Sequence, residues 1–60
     1  MMSEKEILRK LKDLRSQYTL FELGKKLDVN PNQIWRWLKE GKISKSMAQL
    51  LGYKIREQGL

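Results

Sequence analysis

An all-α fold of four short helices is what these 60 residues predict, and three observations carry that expectation. Apolar residues recur at three- and four-residue intervals, the helical period, and no stretch alternates convincingly as a strand would. Residues that favour helix starts stand ahead of each apolar stretch: Ser3, Thr19, Asn30 and, for the last, Ser44 or Ser46. The chain is also short enough to form only one small domain, residues 1 to 60, which buries about 60% of its unfolded surface.

The first helix opens at Ser3-Glu4-Lys5-Glu6, the S-x-x-E form of a capping box. Ile7, Leu8, Leu11 and Leu14 then lie on one face, with Arg9, Lys10, Lys12, Asp13 and Arg15 on the rest. The second opens at Thr19-Leu20-Phe21-Glu22, again T-x-x-E, with Tyr18 placed as a hydrophobic staple. Leu20, Leu23 and Leu27 point one way and Phe21 flanks them. Gly24 inside this helix costs about 1 kcal/mol relative to Ala, so close approach of another helix is expected there.

The segment stops at Asp28-Val29, and the third helix begins at Asn30-Pro31, a favoured cap followed by a favoured first residue. Ile34, Trp37 and Leu38 form its apolar stripe, and Gly41 is a natural stop. Lys42-Ile43 leads to the fourth helix, capped by Ser44 or by Ser46 in Ser46-Met47-Ala48-Gln49. Met47, Leu50, Leu51 and Ile55 supply its apolar face, and Gln58-Gly59-Leu60 is expected to fray.

Composition narrows the chemistry. The chain has no Cys and no His, which removes disulfides, zinc fingers and the usual nucleophile–base pairs. No cofactor, metal, small-molecule ligand or enzymatic activity is expected. No apolar run reaches the ~20 residues that span a bilayer, and the charged first dozen residues do not read as a signal peptide. The expectation is a soluble, cytoplasmic protein with no membrane partner. Thirteen basic against seven acidic residues give a net charge of +6 and a pI near 9.9. Residues 30–60 hold six basic and two acidic side chains, residues 1–29 seven and five. The excess therefore lies in the half containing the third helix, as suits a polyanionic partner, although many basic proteins are merely soluble.

Residues 19 to 40 form two short helices joined by a few residues, the second opening with a polar turn, which is the arrangement of a helix-turn-helix. The run from Leu20 to Leu38 resembles the helix-turn-helix of the lambda-repressor and Cro-like family, with Leu23, Gly24, Leu27, Val29, Ile34 and Trp37 at the matching places. The similarity covers roughly residues 5 to 56. Leu20 stands where that family often has Gln, Asp28 where it has Gly, and four helices are read where it commonly has five.

What the resemblance implies is a compact, lambda-repressor-like domain that binds double-stranded DNA. With Ile34, Trp37 and Leu38 inward, Asn32, Arg36 and Lys39 point outward, and Gln33 and Glu40 lie to one side. Asn and Gln pair bidentately with adenine and Arg with guanine. The resemblance puts Asn32, Gln33 and Arg36 where the family reads bases, and Asn30 near a phosphate. Lys39 joins it as a backbone ligand, as do Lys42, Ser44, Lys45 and Ser46 in the loop beyond. Trp37 is expected in the core. Trp35 is expected to pack there too, with contact to a sugar-phosphate edge or a thymine methyl as the alternative. Lys25 and Lys26 suit phosphate contact and plain solvation equally.

The first functional expectation is a nucleoid-associated transcriptional regulator of prokaryotic, archaeal or viral type, bound to DNA as a homodimer. An accessory factor in recombination or replication is the second, and a helical protein-interaction module the third.

Overall fold

Every helix start is marked by a side-chain oxygen that takes over a backbone N–H left without an intrahelical partner. The computed structural model describes residues 3–60, which form α1 (Glu4–Arg15), α2 (Leu20–Leu27), α3 (Pro31–Glu40) and α4 (Lys45–Glu57), with no strand among the described residues. Ser3 and Thr19 build complete capping boxes: the Ser3 hydroxyl accepts from Glu6 N–H at 3.2 Å and that of Thr19 from Glu22 N–H at 3.1 Å. Asn30 caps α3 through Oδ1, which accepts from Asn32 N–H at 2.8 Å. Ser44, not Ser46, caps α4, accepting from Met47 N–H at 3.2 Å. Ser46 lies one residue inside the helix, where its hydroxyl is exposed.

The helix ends are as specific. Asp28 closes α2 in the left-handed region, φ 56° and ψ 46°, and Val29 N–H returns to the Gly24 carbonyl at 3.0 Å. A non-glycine residue at positive φ is uncommon, and Asp is among the few side chains that tolerate it. Gly41 closes α3 with φ 68°, its N–H donating to Trp37 O at 2.8 Å. The last residues, expected to fray, close in a defined turn. Gly59, φ 68°, and Leu60 complete a Schellman turn, with Gly59 N–H on Arg56 O at 3.2 Å and Leu60 N–H on Ile55 O at 2.9 Å. Leu60 then folds back onto the core.

That core is Ile7, Leu11 and Leu14 of α1, Leu23 and Leu27 of α2, Ile34 of α3, and Ala48, Leu51 and Ile55 of α4. Tyr18, Leu20, Val29, Trp37, Leu38, Ile43 and Met47 pack around it, so the staple residue and the residue under the turn sit as expected. Leu50 does not. It is 44% exposed, because it lies about 100° from Leu51 around the helix, and small Ala48 takes the inward place. α3 packs on α1 and α2, and α4 packs on the same two helices. No Cα of α3 comes within 8 Å of one in α4. The body measures 26 × 24 × 18 Å.

Gly24 explains how α3 is set against α2. A Cβ built there would lie 2.8 Å from the Val29 carbonyl oxygen and 2.8 Å from Cγ of Pro31. The close neighbour is therefore the turn and the first residue of α3, rather than the body of a crossing helix. From the other side, α4 reaches the open end of α2. Lys54 Nζ donates to Leu27 O at 2.8 Å, and Gln58 Nε2 donates to Lys26 O. Lys54 also lies 3.8 Å from Asp28 Oδ2, but that carboxylate is 96% exposed and the pair adds little in water.

Candidate nucleic-acid interface

α3 buries one side and leaves the other unused by the fold. Ile34 is fully buried and Trp37 and Leu38 are half-buried, whereas Asn32, Gln33, Trp35, Arg36, Lys39 and Glu40 are exposed. Around the helix Asn32 and Arg36 lie about 40° apart and Lys39 falls beside Asn32, with Gln33 and Glu40 on the adjoining flank. The base-reading candidates Asn32, Gln33 and Arg36 thus share one solvent face. Among the described residues, no hydrogen bond or ion pair within the chain engages their side-chain groups. Their donors and acceptors are free to meet a ligand. Glu40 is the only acidic side chain of the helix, at its last position.

The backbone-contact candidates fall into two groups. Asn30 spends its Oδ1 on the cap, which leaves the side-chain N–H2 as a donor at the start of α3. Lys39 is in the last turn, its Nζ 4.7 Å from the centre of the Trp35 ring. Beyond Gly41, half-buried Ile43 pins the linker, with exposed Lys42 and Ser44 on either side. Ser44 accepts a hydrogen bond from Met47 N–H, so its own O–H remains a donor. Lys45 and Ser46 occupy the first turn of α4, where unpaired N–H groups and the helix dipole favour an anion. This second cluster is joined to α3 only by the linker Gly41-Lys42-Ile43, since α3 and α4 do not pack together.

Trp35 departs from the expected core position: it is 49% exposed and is not one of the buried core residues. It lies about 100° from Ile34, outside the stripe of Ile34, Trp37 and Leu38, on a helix none of whose Cα atoms comes within 8 Å of one in α4. On α2, Phe21 is 62% exposed under Lys25 Nζ, and Tyr18 lies under Lys26 Nζ, each cation 5.1 Å from its ring centre. Lys25 and Lys26 are thus positioned by aromatic faces. Glu22 has its carboxyl held below the ordinary range by the Thr19 backbone N–H, then by the Thr19 side chain, the two halves of the capping box.

No helix of the described residues is long and apolar enough to cross a membrane, and none of their carboxylates cluster as a metal site. Comparison with protein-family models, curated proteins and solved structures finds no match to this chain.

Proposed function

We propose that this chain is a sequence-specific double-stranded DNA-binding protein, a small Cro-like transcriptional regulator that reads the major groove with α3. One observation carries the reading. Asn32, Gln33 and Arg36, side chains with the hydrogen-bonding patterns that match adenine and guanine edges, share an exposed face and have no side-chain hydrogen-bond partner among the described residues. The helix bearing them is held rigidly at its start by the Asn30 cap and the Gly24–Pro31 contact. Lys39, Lys42 and Lys45, with Asn30, Ser44 and Ser46, supply phosphate ligands around it, and the net charge of +6 suits the same partner. Such a role places the protein with the cytoplasmic nucleoid. The expected bound form is a homodimer, for which α4 offers exposed Leu50 and Tyr53.

Selection of bound sites from random duplexes, followed by anisotropy titration at several salt concentrations, tests this. Three lysines on phosphates predict a slope of log K against log salt of roughly −3 per subunit. A dimer predicts an inverted repeat with half-sites about 34 Å apart. Arg36→Ala should relax preference at one base pair by about 1–3 kcal/mol while changing non-specific binding little. Equal weakening on every sequence would reduce Arg36 to a phosphate contact, salt-independent binding would remove the phosphate contacts, and absence of duplex binding would remove DNA as the partner.

A further inference from the structure

Trp35 leaves half of the largest apolar side chain in water, in a 60-residue protein with little core to spare. Trp37, two residues on, is half-buried against the core, whereas Trp35 is exposed. Its position is specific. Around α3 it lies about 40° from Lys39 and about 60° from Asn32, bordering the polar face on the side away from Gln33 and Glu40. One flank of that face is polar and the other is an indole. The ring is also held in place: Lys39 Nζ lies over it, 4.7 Å from its centre, at the i, i+4 spacing that brings side chains together. Such a contact biases the ring towards one orientation, which lowers the ordering cost when it meets a ligand.

Resting on the reading of α3 as a base-reading helix, we propose that Trp35 recognises the C5-methyl group of a pyrimidine at the edge of the site. The argument is one of matching chemistry. Base edges in the major groove present donors, acceptors and one apolar group, the thymine methyl. Asn32, Gln33 and Arg36 answer the polar groups, and Trp35 is the exposed apolar surface on the same helix. Lys39 holds the ring and keeps N–H groups free for the neighbouring phosphate, so the two side chains act as one unit.

The same methyl group occurs on thymine and on 5-methylcytosine, and the experiment separates the two. In the site selected by the wild-type protein, each thymine is replaced in turn by uracil, which deletes only the methyl. Burial of one methyl group predicts about fourfold weaker binding at one position. Trp35→Ala should bind the thymine and uracil duplexes equally at that position, and Trp35→Phe should retain part of the difference. With a G·C pair placed there, 5-methylcytosine should bind more tightly than cytosine. The wild-type arm needs no altered protein, and circular dichroism verifies that the variants are folded. If no position responds to uracil, if Trp35→Ala keeps the full response, or if cytosine and 5-methylcytosine bind alike, methyl recognition by Trp35 is overturned while base reading by α3 stands. Failure to bind any duplex overturns the base-reading proposal itself.

Discussion

Replacing Gly24 by Ala should destabilise this protein although it improves the helix. By propensity alone the change favours α2 by about 1 kcal/mol. Against this, the new Cβ would lie 2.8 Å from the Val29 carbonyl oxygen, 2.8 Å from Pro31 Cγ and 3.0 Å from Pro31 Cδ. One of these neighbours is backbone and the other a ring, so neither can rotate away. Overpacking of this kind costs about 1–3 kcal/mol, and the rigid surroundings put Gly24 at the upper end. The net is a loss of about 1–2 kcal/mol, which lowers Tm by roughly 5–15 °C in a domain of this size. Gly52→Ala is the control. Its Cβ would meet only Ile7 Cδ1 at 3.6 Å, an ordinary contact, so the propensity gain survives and Tm should rise. Thermal melts followed at 222 nm measure both. If Gly24→Ala proves as stable as the parent, the close seat of Pro31 on α2 is wrong, and the fixed placement of α3 goes with it. Gly24→Leu should abolish folding.

Ser44→Ala should cost about 1 kcal/mol in urea unfolding through loss of the α4 cap, whereas Ser46→Ala should be near neutral; the reverse order would move the helix start. Lys54→Met removes the charged donor from Leu27 O in a partly buried setting, for a loss of about 1.5–3 kcal/mol in the same assay, while Asp28→Asn should change little. Glu22 makes stability depend on pH. Its carboxyl ionises more readily folded than unfolded, so its contribution is present above the unfolded value near 4.5 and is lost as pH falls through the lower folded value. Melts between pH 6 and pH 2 should therefore show a smaller acid loss for Glu22→Gln than for the parent, and identical profiles would remove the capping box as the cause.

The helix starts at Ser3, Thr19 and Asn30 were readable because a cap is a local interaction between residues two or three apart. The same is true of Asp28, whose left-handed backbone follows from the turn it must make. Two serines two residues apart defeated that logic at α4, since either can cap; Ser44 does so, next to Ile43, which packs on the core. Bulk misplaced Leu50, since small Ala48 takes the buried place, and it misled for Trp35 as well, which the helical period itself leaves on the flank of the α3 stripe. Leu60, Lys54 and Gln58 gave no signal at all. Their partners lie on the core or on α2, and nothing near them in sequence marks the contact. On the candidate interface, residue type and helical angle were sufficient to find the exposed polar face of α3. Its independence from the α4 cluster needed the tertiary packing.

Those two hydrogen bonds from α4 to the end of α2 have a kinetic consequence. They join residues 27 and 32 positions apart, so the chain must close a long loop before either can form. Both also need the last turns of two separate helices already in place, which puts them late in folding, after the barrier. A contact made after the barrier governs escape from the native state rather than arrival at it. Lys54→Met should therefore speed unfolding about ten- to a hundredfold while leaving the refolding arm nearly unmoved, and the lifetime of the folded molecule rests on a clasp between its middle and its last helix.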